Sequence, residues 1–533
     1  MTQRLHTSAL ALCLALSSGC GSDDSKVAAT GGAAGTGGGG AGGTGGAAGA
    51  AGAGGALLLA AGEAAEVTLA DGNGNLHLST PAGDEQFVLV LASNQLDDSS
   101  GLHDYSVSLG GTFTDSAANV LTTCSLTPDK WKALSLPAET PPSGSGPAVG
   151  AERSVDVSTK TGKETITVKA LAVGEKAVVW ADTTAAHPAL IDPAVVQEFL
   201  TDFEKTILPR ARSIFGVESD LDNDGHIALI FSPLVYDTAV AFFTSCDLNP
   251  GFGCPAGNQG EYLYLTPPNA IPPPYNTPNA IKEILAHELS HMIHYNRKVL
   301  KNGIGGSNES AYMHEGIGAI AQDVLGYQSG NLYVTKAGLD EIDDYSLADT
   351  VADGVQYDLS RDGALRGGSY LFVRWFYDRA GGDVAKPDGS IENLGGPSLL
   401  RTVLDAPEPI SAVLPSEAGT SLEALAMDFW TTLAMSNRED DGGAAAKNPC
   451  FSYLPTAADP VTTRQRGANL FAKFHGQQML GPKLQPVASA DGQLRSGGVE
   501  LLLLEATSGQ AEIALGVSAA TGAKPRLRIA RVR

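Results

Sequence analysis

Basic residues are scarce in this 533-residue chain: 35 Lys and Arg stand against 59 Asp and Glu, a net charge of -24. A nucleic-acid partner would need a basic patch to neutralise phosphates, and electrostatic attachment to anionic lipid would need a basic cluster. The balance argues against both. The excess negative charge opposes self-association and says nothing about the fold. Long apolar runs are also missing. Leu501-Leu502-Leu503-Leu504 is too short to cross a bilayer and reads as a buried strand. Cysteine numbers six, with no close CxxC pair, which argues against a four-cysteine zinc site. No internal repeat is present. Histidine numbers ten, so an ordered HExxH spacing arises by accident on the order of one time in a hundred.

What is present is a globular composition, 43% hydrophobic, over a length that suits two to four domains. Arg4 and His6 precede a short apolar run from Ala9 to Leu16, the pattern of a signal peptide over residues 1–19. Ser17-Ser18-Gly19-Cys20 resembles a bacterial lipobox, with Ser17 where Leu is usual; an ordinary signal peptide cleaved nearby is the alternative. The segment 27–55 is almost entirely Gly, Ala and Thr. It has nothing to bury, and as a flexible tether it spans roughly 30 Å. Residues 20–55 thus read as a lipidated cysteine and its tether, and the chain as an outer-membrane lipoprotein or an extracellular protein. An even cysteine count suits export and disulfides. Cys246 and Cys254 flank a turn-rich loop that closes easily, and Cys124 with Cys450 pair by elimination.

Beyond the tether the expected class is α+β. Residues 56–185 read as β-rich, with a strand at Phe87–Leu91, a turn at Asp71-Gly72-Asn73-Gly74, and a Pro, Ser and Gly-rich loop over 137–150. The texture changes at Asp192-Pro193, an N-cap followed by the residue favoured at the first helical position. Val196, Phe199, Leu200, Phe203 and Ile207 then recur at helical spacing. Residues 186–440 form a mixed and then mainly helical region, and 441–533 is β-rich again.

The segment from Thr277 to His294 carries the chemistry. Thr277 suits an N-cap and Pro278 the first turn, and Ile281, Ile284, Leu285, Met292 and Ile293 make an apolar face. His287 and His291 are four apart, so they lie on one helix face, one turn apart. Two imidazoles so placed bind one Zn²⁺ at about 2.1 Å each, with Glu288 beside them to act on water rather than on the metal. A third protein ligand is required. His294 lies about 10 Å along the axis from His287, too far for one ion. It also occupies the place where a metzincin needs Gly, which excludes that pattern. Glu309 and Glu315 remain.

Met313-His314-Glu315-Gly316-Ile317-Gly318-Ala319 resembles the Asn-Glu-Gly segment that supplies the glutamate ligand of gluzincin peptidases. The wider pattern resembles the hyicolysin family of bacterial gluzincins. It comprises Phe215-Gly216, Asp220-Leu221-Asp222-Asn223-Asp224-Gly225, Ala241-Phe242-Phe243, Asn258-Gln259-Gly260-Glu261 before Tyr264, and His287 to His294. It covers roughly residues 173–437. The resemblance implies a gluzincin-like metallopeptidase core with Glu315 as third ligand, and departs at His314, where the family has Asn. It further implies a zinc-activated water with Glu288 as general base, a protein or peptide substrate along an edge strand, here Tyr262–Leu265, and an oxyanion donor on a later helix. The matching stretch, Leu365 to Phe372, offers Tyr370 or Arg366, the latter where the family has Tyr. Asp220, Asp222 and Asp224 resemble half of a calcium loop. Phe231 stands where an EF-hand needs Glu, so a tight turn into a strand is the better reading. The competing function is a non-catalytic adhesin or binding scaffold carried on the β regions. An intact His287, Glu288, His291 and Glu315 set favours the peptidase, because a scaffold has no use for the base.

Overall fold

The computed structural model describes residues 55–249, 257–273, 276–303, 309–352, 355–474, 476–487 and 491–533. The leader, Cys20 and nearly all of the tether lie outside the described residues, as does Cys254. Among those described, no helix is long and apolar enough to cross a membrane.

Segments 64–120 and 485–531 build one β-sandwich. In its first sheet, strand Gln86–Ser93 lies between Val499–Glu505 and Pro525–Arg531, and the latter also pairs with Ala64–Val67. The second sheet holds Asn73–Ser79, Leu102–Leu109, Asp491–Arg495 and Glu512–Ala519. The run Phe87-Val88-Leu89-Val90-Leu91 is apolar without a break because it is covered on both faces. Phe87, Leu89 and Leu91 point into the sandwich core. Val88 and Val90 point into the core of the helical body. Leu502 and Leu504 divide from Val499 and Leu501 in the same way.

The sandwich is fastened to the body by covalent and ionic links. A disulfide joins Cys124 to Cys450, the pairing expected by elimination. Cys246 is disulfide-bonded as well. Arg528 reaches from the sandwich to Asp428 on helix Leu422–Met435 at 2.7 Å, and its Nε meets Glu66 at 2.6 Å.

A second six-stranded sheet supports the body, in the order Ala241–Phe242, Tyr262–Leu265, Ile227–Phe231, Ala177–Asp182, Gly162–Val173, Glu152–Thr159. Strands 177–182, 227–231 and 262–265 are parallel and buried. Residues 152–182 therefore belong with the body, and the boundary read near residue 185 falls between two hydrogen-bonded strands of one sheet. Tyr262–Leu265 is not the edge. The short strand Ala241–Phe242 pairs antiparallel with Tyr264 and Leu265 and takes the outermost position.

Helix Pro278–Tyr295 packs on this sheet, helix Ala311–Val324 packs on that helix, and helix Asp362–Arg379 packs on the second. The first is capped as expected, with the Thr277 side chain accepting the Ala280 N–H. The second is capped by Ser310, which accepts the Met313 N–H at 2.9 Å. Gly316 lets the third approach, since a Cβ there would stand 2.9 Å from the Ser369 carbonyl oxygen.

Candidate metal centre

Helix 278–295 presents His287 and His291 on one face, with ring centroids 4.6 Å apart and planes nearly perpendicular. Helix 311–324 brings Glu315 opposite them. Its Oε2 lies 3.5 Å from His287 Nε2 and its Oε1 lies 3.9 Å from His291 Nε2. The three residues offer ligand atoms all within 4.8 Å of one another, a donor set of two imidazoles and one carboxylate that suits zinc. The imidazole of His287 has room because residue 318 is Gly: a Cβ there would lie 2.4 Å from the ring. The Glu-Gly-Ile-Gly segment thus supplies the carboxylate, a place for helix 362–379 and a place for His287. Gln322 Oε1 stands 3.4 Å from His287 Nδ1, the nitrogen turned away from Glu315, and so biases which nitrogen carries the proton.

Glu309, the other candidate ligand, is committed elsewhere. It faces Lys298 at 3.3 Å and accepts the Ile410 N–H at 2.9 Å. His294 is fully buried behind the pair, its Nδ1 3.1 Å from Nδ1 of His314. His314 thus packs against a histidine rather than joining the ligand group.

Glu288 is buried one residue from His287, and its Oε2 accepts the backbone N–H of Phe243 at 3.0 Å. Burial pushes its carboxyl up to about 7, with Glu315 adding repulsion, while His287 and the Phe243 N–H act the other way. Burial would also raise Glu315, but Arg366 and the two histidines hold it well below the usual carboxylate range. The two carboxylates are thereby driven apart, one poised to exchange a proton near neutrality and one kept ionised.

One expectation is corrected, and the turn preferred for the acidic loop is found. Tyr370 is fully buried, and its hydroxyl donates to Asp323 at 2.9 Å and lies 3.1 Å from Gln328 Oε1. It belongs to the packing of helix 362–379, since an interior-facing position on that helix points away from the ligands. Calcium finds no support. Asp220 accepts the Gly225 N–H, Asp222 that of Asp224, and Asp224 that of His226, so the acidic residues close a turn leading into strand 227–231. That turn packs against the linker at Ser143 and Gly144.

Sequence reasoning missed Tyr357. It lies in a loop, partly exposed, and donates its hydroxyl to Glu315 Oε1 at 2.5 Å. Its only local signal was an aromatic residue in a polar stretch. Arg366, named as a possible oxyanion donor, instead holds Glu315 Oε2 at 2.6 Å and Asp362 at 3.0 Å.

An α+β body carrying a two-histidine, one-carboxylate group beside a buried glutamate is compatible with a metallopeptidase. The neutral metalloprotease ShpI of Staphylococcus hyicus is 26% identical over 295 residues, covering 51% of this chain and 60% of that protein. The chain thus matches less than two thirds of that relative's length. The similarity supports a relationship to metallopeptidases and implies a metal. No protein-family model matches the chain.

Proposed function

We propose that this chain is an exported, lipid-anchored zinc endopeptidase in which His287, His291 and Glu315 hold the metal and Glu288 is the general base. The observation that carries the reading is the pairing of this donor set with a buried carboxylate on the same helix, aimed by a backbone N–H of the sheet edge.

Zinc in such a site acidifies a water and polarises a carbonyl. The residues of the chain do the rest. Glu288 takes the proton of the attacking water and returns a proton to the leaving amine, a role that suits a carboxyl poised near 7. Strand 241–242 offers an outer edge on which an extended peptide can add as a further strand, ending beside Phe243 and Glu288. Tyr357, whose hydroxyl donates to Glu315 Oε1, is proposed to hold that ligand in place.

The test is metal analysis of the purified protein together with casein cleavage, with and without chelator. One zinc per chain and chelator-sensitive cleavage are expected. Glu288→Gln should keep the zinc and lose roughly a hundredfold or more in turnover. Zinc-free protein with undiminished cleavage would overturn the reading.

A further inference from the structure

We propose that Arg366 competes with the metal for Glu315, so that this chain binds its metal more weakly than its two histidines and glutamate would alone. The inference rests on the metal-site reading above.

Arg366 is almost fully buried on the first turns of helix 362–379. It is carried to Glu315 by the close approach of that helix at Gly316, one turn along from Ser369. Its Nη1 stands 2.6 Å from Glu315 Oε2. That same oxygen is the one that faces His287 Nε2 at 3.5 Å. The guanidinium therefore sits on the oxygen nearest the first histidine, where a shared metal would take its carboxylate bond of about 2 Å. A dication held by these residues would face a fixed positive charge in a place where little water screens the repulsion. One neighbouring carboxylate, Asp362, offsets part of the Arg366 charge at 3.0 Å.

Groups that hydrogen-bond a metal ligand ordinarily strengthen the site, and their loss costs tenfold to a hundredfold in affinity. Tyr357 is such a group, neutral and on the other oxygen of Glu315. Arg366 differs in carrying charge of the metal's own sign, so its removal should act in the opposite direction.

The experiment is competition for zinc between the metal-free protein and a chromophoric chelator, read as Kd. Arg366→Gln should tighten zinc by about tenfold or more, and its metal-free form should melt below wild type because Glu315 has lost a partner. Arg366→Lys should stay near wild type, and Tyr357→Phe should not tighten binding. Asp362→Asn leaves more of the guanidinium charge facing the site, so it should weaken zinc severalfold even if Arg366→Gln fails to fold. Folded Arg366→Gln with unchanged or weaker zinc affinity, or Asp362→Asn with tighter affinity, overturns the proposal. A wild-type protein that takes up no zinc overturns the metal-site reading along with it.

Discussion

The backbone N–H of Phe243 donates to Oε2 of Glu288 across 3.0 Å, which ties the outer edge of the sheet to the helix that carries both histidines. That bond favours the ionised carboxylate, against burial, which favours the protonated one. Phe243→Pro deletes the donor. The acid limb of the pH profile of kcat/KM should then move upward by about half a unit to one unit, equivalent to roughly 1 kcal/mol. Zinc content should be unchanged. A lower turnover with the limb in its original position would show that the bond does not tune the base.

The choice between Glu309 and Glu315 separates metal from stability. Glu315→Ala should reduce bound zinc well below one per chain. Glu309→Ala should retain zinc but leave Lys298 buried without that carboxylate, costing roughly 3 kcal/mol in denaturant unfolding. Retained zinc in Glu315→Ala would remove that residue from the ligand set.

The two glycines after Glu315 make opposite forecasts. Gly318→Ala sets a methyl against the His287 ring, 2.4 Å away before relaxation, so zinc affinity should fall at least about tenfold while the fold survives. Gly316→Ala presses on the backbone of helix 362–379 and should lower thermal stability first. Equal effects of both variants on zinc would contradict this division of labour.

Far from the metal, Glu500 provides a pH signature. Burial and repulsion from Asp343 push its carboxyl up to about 7, against donation from Tyr105 and the charge of Lys483. The unfolded chain releases this proton near 4.5, whereas the folded chain holds it to about 7. Stability therefore falls as pH rises between those values and is level above them. Glu500→Gln should raise the melting temperature at pH 8, by the equivalent of about 1–3 kcal/mol, and change it little at pH 4. An equal effect at both pH values would assign the shift to packing instead.

The metal helix was legible because its signals are local: Thr277 and Pro278 mark its start, and the spacing of His287 and His291 places them on one face. The edge of the sheet was not legible. Tyr262–Leu265 and Ala241–Phe242 alternate no differently from interior strands, and which strand lies outermost depends on partners elsewhere in the chain. The same holds for residues 152–182, whose strand pattern was plain but whose neighbours were not. Tyr357 escaped because a loop residue's reach is set by tertiary packing, and Tyr370 misled because a helical register shows which face is buried without showing what it meets. Cys124 with Cys450 followed by elimination, once the turn-rich loop was read as joining Cys246 to Cys254.

Strand 86–93, among the first of the sandwich to leave the ribosome, finds both of its neighbours only in the last segments of the chain. Until residues 499–531 have been made, its backbone groups have no ladder to join. Closing such distant pairs is slow, because the loop must be ordered before any contact rewards it. The sandwich is therefore completed only once residues 499–531 are present. A chain stopped short of its final strands loses the N-terminal half of the sandwich together with the C-terminal half.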